Sequence, residues 1–200
     1  MPLGLGVLVS GNGTNLQAIL DATLAGSLDA QVKCVISNRA NAPALERAAR
    51  AGVPALSIAH QEFESRAAFD RAVVAALQQH GVEWLVLAGF MRVVTPELLL
   101  AFPGRVVNIH PSLLPSFPGR DALGQALRHG VKVTGCTVHF VDNGVDSGPI
   151  IAQRAVEVMP GDDEHSLAER MHEAEHGLLL GVLRDIAARR VGPSKLGGPA

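Results

Sequence analysis

Residues 5–24 read LGVLVSGNGTNLQAILDATL, and this stretch decides the fold. Leu5 to Val9 is a short apolar run of the kind a buried strand needs, and SGNGTN (10–15) breaks it with glycine and small polar residues. Leu16, Ile19, Leu20 and Leu24 then recur at helical spacing. Strand, glycine-rich turn and helix follow one another as in an α/β unit.

Working outward, the alternation repeats. Val32 to Ser37 is a second strand, followed by the turn NRANAP and a helix from Ala44 to Ala51 that Gly52 stops. Val53 to Ile58 reads as a third strand, and Ser65 to Gln79 as a helix with Phe69, Val73, Val74 and Leu77 on one face. Glu83 to Ala88 is a fourth strand. Thr95 and Pro96 then form an N-cap and first-turn pair for a helix through Leu100. Arg105 to His110 is a fifth strand, leading through Pro111, Pro115 and Pro118 into a loop that those prolines stiffen. Regular alternation predicts a doubly wound, mostly parallel, Rossmann-like sheet with helices on both faces. Beyond the helix at Asp121 to His129 the pattern changes. Thr134 to Val141 and Pro149 to Val158, joined by DNGVDSG, predict an antiparallel C-terminal hairpin, and a last helix runs from Glu164 to Arg189.

The 200 residues, 48% hydrophobic and 18% charged, fit one soluble domain with a sizeable core. A net charge of -2 without a basic block gives no footprint for nucleic acid or for a membrane surface. No apolar run reaches the roughly eighteen residues of a membrane span, and MPLGLGVLVSG lacks the basic start of a signal peptide, so a cytoplasmic protein is expected. Cys34 and Cys136 lie in apolar runs and read as buried thiols.

Three stretches carry polar groups suited to chemistry. Asn108 and His110 alternate about Ile109 and so share one face of the fifth strand, a hydrogen-bonding amide beside a group that holds a proton near neutrality. In SGNGTN, Gly11, Gly13, Thr14 and Asn15 would present amides at a helix N-terminus, where an anion is favoured. Leu16 replaces the third glycine of the dinucleotide motif and no Lys-Ser/Thr pair follows. A single phosphate fits best, and an ordinary tight turn is the alternative. Asp142 and Asp146 lie in the hairpin turn; Asp142-Asn143-Gly144 is ordinary turn chemistry, whereas Asp146 beside His110 would favour its protonated form. Taken alone, Arg66 reads as a surface cation, Met91 to Val94 as packing, and His139 as either a core histidine or a support for the site. His172 and His176, at i and i+4, lack the further ligand of a metal site, so no metal is expected.

NIHPSLLPSFPG (108–119), with SGNGTNLQA (10–18), LAGFMRVV (87–94) and HFVDNGVDSGPII (139–151), resembles the folate-dependent formyltransferases, in order and over nearly the whole chain. The resemblance implies one formyltransferase domain over residues 1–190, a disordered tail over 191–200, and a monomer or homodimer. It further implies transfer of the formyl group of 10-formyltetrahydrofolate, a co-substrate, to the amine of glycinamide ribonucleotide in purine synthesis, without metal or covalent enzyme intermediate. Carried over, the catalytic residues are Asn108, His110 and Asp146. Gly13, Thr14, Asn15, His172 and Glu175 would bind the ribonucleotide. Arg66, Met91, Arg92, Val93, Val94, Asn108, Asp142, Asn143, Gly144, Val145 and Asp146 would line the folate site. Many relatives carry histidines in a segment like LHTHRQAL, where this chain has Arg120-Asp121-Ala122-Leu123-Gly124 before Gln125. A tRNA-formylating relative would need a further C-terminal domain and a basic surface, and a formylfolate hydrolase a regulatory N-terminal domain. A non-catalytic nucleotide-binding module would not need Asn108, His110 and Asp146. The crevice of a doubly wound sheet opens at a reversal of strand order, which leads to the expectation that the first and fifth strands are close neighbours there.

Overall fold

The computed structural model describes residues 1–194, and residues 195–200 of the expected disordered tail lie outside the described part. A seven-stranded sheet runs through the molecule, built from β1 (Leu3–Val9), β2 (Ala30–Ser37), β3 (Ala55–Ser57), β4 (Trp84–Leu87), β5 (Val106–His110), β6 (Val133–Phe140) and β7 (Ile150–Glu157). The helices are α1 (Thr14–Leu24), α2 (Pro43–Arg50), α3 (Arg66–Gln79), α4 (Pro96–Ala101), α5 (Ala122–His129) and α6 (Glu164–Ala187). Strand order is β3-β2-β1-β4-β5-β6-β7. The first five strands pair in parallel, while β6 joins β5 and β7 joins β6 antiparallel.

Alternate residues of the central strands face opposite layers. Val7, Val9, Val86, Val107 and Ile109 enter a core closed by Leu16 and Ile19 of α1 and by Leu167, Leu179 and Leu183 of α6. Leu8, Leu85 and Val106 enter another, closed by Phe69, Val73 and Leu77 of α3 and Leu98 of α4. Helices therefore cover both faces, which is why β1 and β4 read as unbroken apolar runs rather than alternating ones. Cys34 and Cys136 are free and buried; burial pushes their thiols up to about 11 and about 12.

Two expectations change. The third strand shortens to Ala55–Ser57, an edge strand with two of its three residues exposed. The first and fifth strands are not adjacent, because β4 lies between them and pairs with both. From β1 the chain moves outward to β2 and β3, then resumes on the free side of β1, so the order reverses between β1 and β4. At the C-terminal end Val191 N donates to Asp185 O and Ser194 N to Gly104 O, which ties this segment to the domain. Among the described residues no helix is long and apolar enough to cross a membrane.

Candidate functional site

The reversal opens a cavity of about 470 Å³ at the carboxyl ends of β1, β4 and β5. Its first wall is the turn after β1. Gly13 precedes α1 in the left-handed region at φ 73, and a Cβ there would stand 2.6 Å from Ala44 Cβ, so both conformation and space require glycine. No side chain caps α1, and its first-turn amides remain available to a ligand. The turn is braced from behind by α2: Arg47 Nε donates to Asn12 O at 2.7 Å, and Ala44 N to Gly11 O at 3.2 Å.

Helix α6 supplies the adjoining wall. A reciprocal cap of Asp163 and Ser166 starts it, and His172 and Glu175, three residues apart, both reach the cavity. Glu175 accepts a hydrogen bond from Asn15 Nδ2 at 3.1 Å, and Asn15 Oδ1 is buried without a hydrogen-bond partner among the described residues. Burial pushes the Glu175 carboxyl up to about 7, against the lowering effect of the Asn15 bond.

The third corner lies where β5 meets β6. Antiparallel register sets Asn108 opposite His139, and the hairpin turn brings Asp146 between the two histidines. Asp146 Oδ2 is 3.4 Å from His110 Nδ1, so no intervening water is needed, and Oδ1 is 3.7 Å from His139 Nε2. Asp146 also accepts Gly119 N at 2.8 Å and Asn108 Nδ2 at 3.3 Å. Burial alone would raise the Asp146 carboxyl. The His139 and Gly119 hydrogen bonds and the charges of both imidazoles outweigh it and hold the carboxyl below its ordinary value.

The ring contacts fix roles. His110 Nε2 lies 2.9 Å from Phe117 O, so both of its nitrogens face acceptors, an arrangement fully satisfied by the doubly protonated ring. His139 Nδ1 lies 2.8 Å from Phe140 O, a carbonyl that can only accept, and its Nε2 lies 3.1 Å from Asn108 Nδ2 and 3.7 Å from Asp146 Oδ1. Phe117 and Asp146 both hold positive φ, 52 and 51, conformations that cost non-glycine residues on the order of 1 kcal/mol each. The prolines around Phe117 and the contacts of Asp146 keep them there.

Fourth, the segment after β4 contributes Met91, Arg92, Val93 and Val94, with Met91 and Val93 exposed and apolar at the mouth. Gly144 and Val145 line the same cavity. Asp142 lines the cavity too, but its Oδ1 accepts Gly144 N at 3.0 Å and Ser147 Oγ at 2.8 Å, as turn chemistry predicts. Gly13 sits behind the lining, and Asn143 is outside it. Arg66 is exposed at the start of α3, away from the cavity wall. The divergent segment is ordered by Asp121, which precedes α5 at φ 61 and pairs with Arg128 at 2.8 Å, while Arg120 lines the cavity.

Sequence reasoning left His139 undecided, because the register that sets it opposite Asn108 is tertiary information. It missed Phe117 O, Gly119 N and Arg47. Pro118-Gly119 signals a turn but not that its amide seeks a carboxylate, and nothing local distinguishes Arg47 from Arg50, the other cation of α2.

A family model described as formyl transferase matches residues 5–183. The chain is 42% identical to phosphoribosylglycinamide formyltransferase of Bacillus subtilis, over 90% of this chain and 92% of the relative. It is 46% identical to the trifunctional purine biosynthetic protein adenosine-3 of Drosophila pseudoobscura pseudoobscura over 96% of this chain, yet it spans only 14% of that much longer protein. The crystal structure of glycinamide ribonucleotide transformylase 1 from Symbiobacterium toebii superposes with a TM-score of 0.94 at 52% identity, covering 97% of this chain and 92% of the other. The chain belongs to the formyl transferase family.

Proposed function

We propose that this chain transfers the formyl group of 10-formyltetrahydrofolate to the amine of glycinamide ribonucleotide, the step its Bacillus subtilis relative is named for, in de novo purine synthesis. The observation that carries the reading is the corner at β5, where Asn108, His110 and Asp146 meet in a cavity that also receives an uncapped helix N-terminus. In this reading residues 1–190 act as one catalytic domain. The phosphate of the ribonucleotide rests on the amides of Gly13, Thr14 and Asn15, and its sugar side meets His172 and Glu175. The folate ring lies against Met91 to Val94 and the turn of Asp142, Gly144 and Val145. Arg66 and Asn143, off the cavity wall, are left out.

The neutral amine attacks the formyl carbon, forming a C–N bond and a tetrahedral intermediate whose oxygen carries the charge. Donors already in place lower that barrier. In the resting site Asn108 Nδ2 serves His139 Nε2 and Asp146 Oδ1, and the longer of these bonds, 3.3 Å to Asp146, is the one that gives way to the oxyanion. Phe117 O occupies His110 Nε2, so the reacting oxygen takes the place of that carbonyl. Collapse breaks the bond to the folate nitrogen, which takes up a proton as the attacking amine loses one, with His110 as the relay. Asp146 holds the charged ring in position. Neither a metal nor a covalent enzyme intermediate is part of the proposal.

Mixing the protein with both substrates and following the absorbance of deformylated folate tests it. Growth that requires both substrates supports the transferase. Growth without the ribonucleotide would make the chain a formylfolate hydrolase, and binding without turnover a nucleotide-binding module.

A further inference from the structure

The segment Met91 to Val94 leaves β4, crosses the cavity mouth and enters α4, with no strand or helix of its own. Each end is fastened by a buried polar side chain from a different element. At the start, Met91 N donates to Ser10 Oγ at 2.8 Å, and Ser10 Oγ donates onward to Asn38 Oδ1 at 2.6 Å. At the end, Thr95 N donates to Asp70 Oδ2 at 2.6 Å. Between them the Arg92 guanidinium lies over the Phe69 ring, 5.1 Å from its centre, and Phe69 is the residue before Asp70. One turn of α3 therefore holds both the middle and the end of this wall.

Asp70 is only 3% exposed, and burial raises its carboxyl from the ordinary value. A buried acid is a costly acceptor, and here the Thr95 amide and hydroxyl and the Arg92 charge offset that cost, so both partners of Asp70 belong to the Met91 to Thr95 segment. The cheaper device would be Thr95 acting through its own hydroxyl, which makes no cap bond to α4. A six-residue helix with one buried residue does not itself call for such an anchor. What the bond does secure is the exit angle of the segment whose backbone forms the apolar mouth.

We propose that Asp70 is a positioning residue for the formyl donor: through Thr95 N it fixes the Met91 to Val94 wall at the spacing a flat heteroaromatic ring requires. The proposal rests on the reading of that wall as the donor side.

The test is steady-state kinetics of the full chain carrying Asp70→Ala, with Asp70→Asn as the conservative variant and each substrate varied in turn. Losing a charge-assisted bond that shapes one wall should raise the KM for 10-formyltetrahydrofolate about tenfold and leave that for the ribonucleotide within about twofold. Asp70→Asn keeps an oxygen for Thr95 N and should restore most of the donor affinity. Equal change in both KM values, or a lower thermal midpoint with the donor KM unchanged, would reduce Asp70 to a cap for α4 and overturn the proposal. If Asp70→Ala does not fold, Asp70→Ser, polar but too short to reach Thr95 N, supplies the same comparison. A wild-type chain that does not use the formyl donor would instead fail the functional reading, leaving the two failures distinct.

Discussion

On the α1 side of the cavity the groups offered to a ligand belong to the backbone, whereas at the end of β5 they belong to side chains. The amides after Gly13 are set by a left-handed turn and by α2 packed behind it, so several covalent and steric constraints hold each of them. Asn108, His110, His139 and Asp146 hold one another, through contacts of 3.1 to 3.7 Å that each depend on a neighbour's protonation and rotamer. A site held by backbone should tolerate side-chain change and lose affinity gradually. A site held by mutual side-chain contacts should lose chemistry abruptly.

The sharpest way to break that contrast is His110→Ala. Removing a group that both relays a proton and supports the oxyanion should lower kcat about a thousandfold, with the ribonucleotide KM within about twofold. Asp146→Asn keeps the shape but discards the charge between the two imidazoles, and a fall of about a hundredfold is expected. If either variant chiefly raises the ribonucleotide KM, the corner is a binding surface and the contrast fails.

On the backbone side Glu175, beside Asn15 and His172, is a buried side chain whose carboxyl is pushed up to about 7 from an ordinary 4.5. The native chain then keeps a proton that the unfolded chain has already released. Stability from this group therefore falls as pH rises from about 4.5 toward about 7 and levels off above, by at most about 3 kcal/mol. Glu175→Gln removes the titration, so the difference between variant and wild-type urea midpoints should grow across that window and flatten beyond it. A difference independent of pH would mean that Glu175 is ionised in the folded protein.

These two regions were not equally legible in the sequence. The turn after β1 could be read because its determinants are neighbours in the chain: an apolar run, glycines at set places and a helical repeat. Asn108 and His110 were legible through strand alternation, a local rule. Pairing across β5 and β6 follows no local rule, so nothing in the sequence sets His139 opposite Asn108. The slot beside β1 is likewise tertiary information. The apolar runs of β4 and β5 are alike, and only the path of the chain decides that β4 takes the inner place. Bonds such as Thr95 N to Asp70 join residues 25 positions apart and leave no periodic trace.

The smallest expected effect belongs to Arg47→Met, which keeps the apolar stem but removes the bond from Nε to Asn12 O and the one from Nη1 to Gln17 Oε1 at 3.2 Å. The loop keeps its other brace, Ala44 N to Gly11 O, and its left-handed glycine, so its amides should shift only slightly. A rise of about threefold in the ribonucleotide KM is expected, under 1 kcal/mol, with kcat unchanged. The guanidinium lies behind the loop and would add positive potential toward a phosphate, so the effect should shrink as salt screens it. A large kcat loss from Arg47→Met would mean that the backbone wall and the β5 corner move together, and the division between a tolerant binding side and a brittle chemical side would have to be abandoned.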